Sequence, residues 1–377
     1  MIRPEEMAGR FRSKLHEPRT AALLGIALGV TLTICFATGL LSHAAQNPNA
    51  WFGWPARPAG LYRISQGLHT LCGVATIPIL LAKLWVVFPR LFEWPPVRSC
   101  AHALERLSVL PLIAGGLFMM LSGVANLARW YPWGFFFTTA HYAVAWITFG
   151  SLVIHLGLKW TIVRSSVGQV RTPEADPDVV GSRRAFLGGV IGTTGLTLLA
   201  TAGNTIAPLS SIAALAQRRP GVGPQGVPVN KSAKGAGVLD DISNPGWLLS
   251  ITGNVSRPID ITLDELRAMP QRTAELPIAC VEGWSTSATW RGVPLRDLMA
   301  AAGAAPGATA LIESVQTGGA YRAAELNAEQ INDPDTLLAL ELNGQPLHRD
   351  HGYPIRLIGP NRPGVMQTKW VNRLVVS

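Results

Sequence analysis

Five long apolar stretches dominate the N-terminal half of the chain, and they leave its backbone little choice of fold. The runs Thr20–Ala44, Gln66–Phe88, Leu107–Leu127 and Thr139–Trp160 are each long enough to cross ~30 Å of hydrocarbon as a helix. A fifth runs from Gly188 to Leu209. Lipid offers no water to exposed N–H and C=O groups, so a single crossing segment must bond them internally, as an α-helix does. The 377 residues carry 15% charged side chains at a mean hydropathy of +0.25. That is too apolar for a purely soluble chain and too long for one ordinary domain, so a membrane half and a soluble half are implied.

Charges between the apolar runs orient them. Arg3, Arg10, Arg12, Lys14 and Arg19 precede the first run, Arg90, Arg98 and Arg106 lie between the second and third, and Lys159, Arg164, Arg171, Arg183 and Arg184 between the fourth and fifth. The alternate loops hold only Arg57, Arg63 and Arg129. Thirteen against three predicts a cytoplasmic N-terminus and an outer C-terminal domain in a cell (inner) membrane. The net charge of +9 is then largely a topology signal, and a nucleic-acid partner is not implied by the pI of 9.8. Trp51, Trp54, Tyr62, Trp130, Tyr131 and Trp133 cluster in the two outer loops, the pattern of an interfacial aromatic belt.

Directly ahead of the fifth run stands Ser182-Arg183-Arg184-Ala185-Phe186-Leu187. It has the form of a twin-arginine export signal, a receptor-read address that moves cargo already folded, usually because a cofactor is inserted first. Residues after about Ala216 are therefore expected to form an exported, cofactor-bearing domain. The alternative is an ordinary fifth helix whose arginines hold its inner end.

Histidines inside a bilayer are costly and usually functional. The fourth run holds His141 and His155, whose 14-residue spacing rises ~21 Å and returns close to the same helix face. Two ligands on one face at opposite depths are what two stacked haems need. His69 enters the second run near the depth of His141, and His16 precedes the first run near the level of His155, so the expected pairs are His69 with His141 and His16 with His155. His43 and His102, also at helix ends, are alternatives to His16. The pattern resembles the cytochrome b subunits of formate dehydrogenase and thiosulfate reductase over roughly residues 10–165, which implies two b haems and a quinone as electron partner. Lys83, about 14 residues after His69, is read as snorkelling or meeting a propionate.

From Gln217 to Lys234 the chain is rich in Pro, Gly and Lys and reads as a linker. Beyond it, short runs at Trp247–Ile251, Ala310–Val315 and Pro354–Ile358 read as strands, with helices near Leu263–Ala268 and Leu295–Ala302. Cys35 and Cys72 fall within membrane runs and Cys100 on the inner side, leaving Cys280 alone in the outer domain. A solitary cysteine there is buried, reactive or a metal ligand, and a soft thiolate suits a redox metal.

Its surroundings are distinctive. Pro277-Ile278-Ala279-Cys280-Val281-Glu282-Gly283-Trp284, then Trp290-Arg291-Gly292-Val293-Pro294-Leu295, resembles the molybdenum-binding segment of the sulfite oxidase family. Leu342-Asn343-Gly344-Gln345-Pro346-Leu347, His351-Gly352-Tyr353-Pro354-Ile355-Arg356-Leu357-Ile358 and Gly364-Val365-Met366-Gln367-Thr368-Lys369-Trp370 resemble that family's closing motif in order and spacing. The resemblance covers about residues 240–377. It implies that Cys280 is the molybdenum thiolate ligand and that His351 and Arg356 reach the pterin phosphate or ring. Gln367, Thr368 and Lys369 supply a phosphate cradle, and Ser314 is a hydroxyl pterin contact. An arginine fork and successive backbone N–H groups bind a phosphate dianion well. Tyr321 lies where the family often has an aromatic residue near the metal, with Trp284 and Arg322 as further pocket candidates. The domain is short for the family: the usual upstream cofactor segment is not evident, and Asn230 in Val229-Asn230-Lys231-Ser232 is a substitute or merely linker. One wall of the substrate pocket is thereby in question.

The expected architecture is multi-domain: a five-helix transmembrane bundle followed by a mixed α+β, strand-rich, sulfite oxidase-like molybdopterin domain. Residues 1–165 form a four-helix cytochrome b domain, 166–216 a cytoplasmic loop and twin-arginine-type fifth segment, 217–237 a linker, and 238–377 an extracytoplasmic molybdopterin-binding domain. The expected function is a membrane-bound molybdenum oxidoreductase. It exchanges electrons between a small oxygen-atom donor or acceptor (sulfite, a sulfoxide or similar) and the quinone pool, with membrane lipid around it. The alternatives are a haem-only quinone-linked electron-transfer protein, and an anchor or assembly protein with a metal-free domain.

Overall fold

The structure, a computed structural model, describes residues 13–47, 53–93, 95, 97–168 and 177–377. Arg3, Arg10, Arg12, Arg171 and Trp51 of the topology and belt readings lie outside them. The described residues divide into two compact units, one within residues 1–39 and 68–201 and the other within 40–67 and 202–377.

Among the described residues five helices are long and apolar enough to cross a membrane: α1 Pro18–Gln46, α2 Leu61–Val87, α3 Cys100–Ala128, α4 Phe137–Gly168 and α5 Pro177–Ala202. Most ends run past the apolar limits, because capping turns are polar and invisible to hydropathy. α1 and α5 open on proline, whose fixed φ suits a first helical turn. At α3 the Ser99 hydroxyl accepts the His102 N–H at 3.1 Å, and Arg129 closes the helix in the left-handed region at φ 53°.

α5 departs from the expected Gly188–Leu209. It begins early enough to enclose Ser182–Leu187 and ends at Ala202. At Gly203 the chain turns back on itself: a Cβ there would lie 2.5 Å from the Ala213 Cβ and 2.7 Å from the Leu209 carbonyl. Within the first unit Arg183 bonds Glu17 at 2.7 Å, with both side chains largely buried.

The described residues of the second unit contain ten strands: β1 Leu248–Gly253, β2 Ile259–Thr262, β3 Arg272–Ala279, β4 Ser285–Pro294, β5 Ala310–Ser314, β6 Ala323–Leu326, β7 Leu337–Leu342, β8 Gln345–Pro346, β9 Arg356–Ile358 and β10 Val371–Val376. One sheet runs β2-β1-β10-β5-β6, with β1 and β10 parallel. The other runs β3-β4-β7-β8, with β9 also on β7. Leu249, Ile251, Leu295, Leu298, Ile312, Ile355 and Leu374 build the larger core. The helices Leu263–Ala268 and Leu295–Ala302 occur where expected. This is the anticipated strand-rich mixed domain following a helical region.

Two expectations need correction. Residues 217–237 are not a free linker. Val227 and Ala233 are buried, and the Gln225 amide donates to the carbonyls of Leu342, Gln345 and Pro346. Trp54 and Tyr62 are not belt residues either: they are 5% and 1% exposed, packed against Ala279 of the C-terminal domain. An indole needs an acceptor when buried, and Trp54 Nε1 finds the Asn361 carbonyl at 2.6 Å. Trp130 and Tyr131 do remain exposed.

Candidate functional site: a buried cysteine beside a cationic cradle

β3 delivers Cys280 at its end, 1% exposed. The Cys280 N–H donates to the Trp284 carbonyl at 2.9 Å and its carbonyl accepts the Gly283 N–H at 3.0 Å, so the cysteine sits in a tight turn leading into β4. Ala279 also bridges Pro363, and Gly364 lies so close that a Cβ there would stand 2.9 Å from the Ala279 carbonyl. The loop between β9 and β10 is thereby held against the cysteine.

That loop and its flanks carry Arg356 and Arg362, both buried, and Lys369, half-buried. Their partners are neutral oxygens. Arg356 donates to the carbonyls of His351 (3.1 Å) and Gln367 (3.0 Å) and stacks on Trp290 at 5.1 Å. Arg362 donates to Gln330 Oε1 at 2.8 Å and to the Met366 carbonyl at 3.1 Å. Lys369 Nζ donates to Asn230 Oδ1 (3.0 Å) and to the carbonyls of Lys231 (2.5 Å) and Asp350 (3.0 Å). Burial pushes Arg356 down to about 9 and Arg362 to about 10. Burial first, then the Arg356 charge, pushes Lys369 down to about 7. Three poorly hydrated cations, none in an ion pair with a carboxylate among the described residues although Asp350 acts on Lys369 at longer range, favour a bound anion, which would offset their desolvation.

Further features fit a phosphate and a polar ring. Gln367 Oε1 and Thr368 Oγ1 are buried with no hydrogen-bond partner. Such atoms are costly unless a ligand meets them. Gly352, at φ 110°, lets the backbone approach where a Cβ would meet the Arg356 Cβ at 2.9 Å and the Lys369 Cβ at 3.1 Å. His351 Nε2 lies 2.8 Å from the Pro224 carbonyl, and burial, then Arg356, holds its imidazole down at about 4. The ring is therefore neutral near pH 7.

Residues 236–377 match the model of the oxidoreductase molybdopterin-binding domain. The C-terminal region is a molybdopterin-binding oxidoreductase domain. Nitrate reductase [NADH] 2 of Phaseolus vulgaris is 33% identical over 161 residues, 35% of this chain and 18% of that protein. Nitrate reductase [NADH] of Spinacia oleracea is 30% identical over 162 residues, 35% of this chain and 17% of that protein. The sulfane dehydrogenase SoxCD of Paracoccus pantotrophus aligns at 26% identity over 42% of this chain and 44% of that one, with a TM-score of 0.33. The chain thus spans about 18% of the length of the first of these curated relatives.

Direct bonds join Arg356 to His351 and Gln367 within the molybdopterin-binding domain, and Lys369 to Asn230, just ahead of it, by a side-chain contact across 139 residues. Ser314 lies one residue before Val315, whose N–H bonds the Trp370 carbonyl, and its own hydroxyl accepts the Gln316 N–H at 3.1 Å. Trp284 is buried but tied to Glu282 at 3.1 Å, which also pairs with Arg218 at 2.9 Å. Arg322 is exposed, while Tyr321 is half-buried with its hydroxyl on Gln46 Oε1 at 3.1 Å. The sequence reading passed over Arg362 and Asp350. The density of Arg356, Arg362 and Lys369 in an otherwise apolar run was the available signal for the first.

The first unit has a second constellation. The rings of His69 and His141 lie 6.3 Å apart. His69 Nδ1 is 2.9 Å from the Cys35 carbonyl and 3.1 Å from Thr38 Oγ1, and His141 Nδ1 is 2.9 Å from Ser122 Oγ. Each ring is oriented by a hydrogen-bond partner at Nδ1, which leaves Nε2 as the nitrogen that could meet a metal. Gly39 stands where a Cβ would be 3.3 Å from His69 Cε1, and Gly123 where one would be 4.0 Å from His141 Cε1. His16 and His155 are less alike. His16 Nδ1 is 2.9 Å from the Val86 carbonyl and its ring packs 4.7 Å from Trp85, while the buried Nδ1 of His155 lacks a hydrogen-bond partner and the ring lies in the field of Lys83, Lys159 and Glu105. Lys83 Nζ bonds the Ala21 carbonyl at 2.5 Å. His43 faces Asn47, and His102 Nδ1 accepts the Arg98 N–H.

Proposed function

We propose that this chain is a membrane-bound molybdenum oxidoreductase exchanging electrons between a small extracytoplasmic substrate and the quinone pool through two b haems. The observation that carries it is the pairing, in one chain, of a molybdopterin-binding domain with His69 and His141, two rings on long apolar helices, 6.3 Å apart and each fixed through Nδ1. Five apolar helices are long enough for the span, and the loop charges support a cytoplasmic N-terminus with the C-terminal domain outside. The cofactors supply oxygen-atom transfer at molybdenum and one-electron steps at the haems. The protein's part is to ligate with Cys280, to neutralise a phosphate with Arg356, Arg362 and Lys369, and to hold His351 as a neutral hydrogen-bonding ring beside them. A sulfite, a sulfoxide or an N-oxide suits the substrate role.

Membranes containing the chain test this directly. Adding sulfite, dimethyl sulfoxide or trimethylamine N-oxide in turn, and following reduced-minus-oxidised spectra, reports substrate and direction together. One compound is expected to change the haem redox state, and Cys280→Ser to abolish that response without altering the haem spectrum. A preparation with b haem but no molybdenum on metal analysis sinks the reading, as does a Cys280→Ser variant that still responds.

A further inference from the structure

The molybdopterin-binding domain is short, yet it is not alone around Cys280. The ends of α1 and α2 and the chain joining them, described at residues 40–47 and 53–67, fold with it as one unit. Asn361, three residues before Gly364, holds that segment through four bonds. Its carbonyl accepts Trp54 Nε1 (2.6 Å), its N–H donates to the Ala59 carbonyl (3.1 Å), its Nδ2 donates to the Pro55 carbonyl (2.7 Å), and its Oδ1 accepts the Tyr62 N–H (2.8 Å). The Gln66 amide reaches the carbonyl of Val281, next to Cys280, at 3.4 Å, and Arg63 bonds Ser287 Oγ at 2.9 Å.

We propose that this α1–α2 segment is the substrate-side wall of the molybdenum site, and that Tyr62 is the hydrogen-bonding side chain it presents there. The inference rests on Cys280 being the metal ligand. Tyr62 is 1% exposed, packs on Ala279, and lies within electrostatic reach of Cys280 and Tyr321. Its hydroxyl is loosely tied. Ser42 Oγ donates to Gln66 Oε1 (3.1 Å) and accepts from Gln46 Nε2 (3.0 Å), so in the 3.3 Å Ser42–Tyr62 contact the phenol is the donor. That contact is roughly 0.5 Å longer than an ordinary O–H···O bond, so turning the proton toward a substrate oxygen costs little. Gln46 Oε1 in turn accepts from Tyr321, which joins the two phenols through one polar chain built on the helix ends.

The test uses the full chain in detergent and reads molybdenum content and the Mo(V) electron paramagnetic resonance signal at several pH values. Tyr62→Phe keeps the ring packing, so molybdenum content is expected to stay within about twofold of wild type while the Mo(V) g-values and their pH dependence change. Turnover of whichever compound the membranes respond to should fall roughly 10²-fold, the lower end of the usual cost of losing one well-placed donor. Ser42→Ala leaves the phenol in place, removes its partner, and should move the same signal if Tyr62→Phe fails to accumulate. An unchanged signal in both variants overturns the proposal. Cys280→Ser is the control for the underlying reading: a wild-type Mo(V) signal there removes the thiolate ligand itself, whereas its loss alongside an unmoved Tyr62→Phe signal removes only the wall.

Discussion

Arg57 grips Asp333 with both arms of its guanidinium, Nε to Oδ2 at 2.7 Å and Nη2 to Oδ1 at 3.0 Å, and Nη2 also reaches Asp335 at 2.5 Å. The two carboxylates hold Arg57 well above its ordinary range, and Asp335, facing Arg57 and Arg272, titrates below its own despite burial. A bidentate fork is the geometry in which an arginine–carboxylate contact matters most. It ties the α1–α2 segment to a residue 276 positions away. Arg57 is 48% exposed, so solvent screens part of the interaction. Arg57→Ala is expected to loosen the segment by about 1–2 kcal/mol, mostly through the stranded Asp333. Limited proteolysis from the outer face should show faster cleavage between residues 47 and 60. An unchanged rate means the fork adds nothing to docking.

In the first, helical unit, the proposed haem ligation predicts that His141→Ala removes one b haem and breaks electron transfer to the C-terminal domain, and that His69→Ala does the same. His155→Ala should remove the other haem. The pyridine haemochrome spectrum gives the count, and two haems persisting in any of these variants sinks the assignment. His16→Ala, His43→Ala and His102→Ala then identify the fourth ligand. His102 already holds the α3 start through the Arg98 N–H, and His16 packs on Trp85.

What was legible in the chain depended on how local its cause was. Leu263–Ala268 was readable because Thr262 and Glu265 form a capping box within four residues, and Leu295–Ala302 because Gly303 closes it in the left-handed region at φ 72°. The motifs single out Cys280, Arg356 and Lys369 as candidates, and the structure finds Cys280 and Arg356 buried and Lys369 half-buried. Trp54 and Tyr62 were not, since an outer-loop aromatic looks the same whether it meets lipid or Asn361 some 300 positions later. Asn230 is ambiguous in the sequence for the same reason: its partner, the Lys369 ammonium at 3.0 Å, lies 139 positions away.

His351 gives a pH test with a definite sign. Its folded value, about 4, lies below the ordinary 6.5. Between those values the unfolded chain binds a proton that the folded one does not, so stability is present above pH 6.5 and is lost as pH falls toward 4. The loss is at most about 3 kcal/mol for this buried ring. His351→Gln should flatten the dependence of the unfolding midpoint, followed by tryptophan fluorescence, between those limits. Parallel slopes for the two proteins mean that other groups set the acid sensitivity.

The export reading is tested where Arg183 meets Glu17. At 2.7 Å this pair gives Arg183 a structural role whatever else it does, so loss of function on removing its charge would not be informative. Lysine keeps the charge, orients a helix as well as arginine does, and can still pair with Glu17. A twin-arginine receptor reads the guanidinium itself, which lysine does not reproduce. The double variant Arg183→Lys, Arg184→Lys is therefore expected to leave the C-terminal domain inaccessible to protease added to spheroplasts, with haem still present in the membrane. Glu17→Gln, which weakens the pair but keeps both arginines, should leave accessibility unchanged. Full outer accessibility of the double lysine variant would make α5 an ordinary anchor helix, and the domain would then have to acquire its cofactor after crossing.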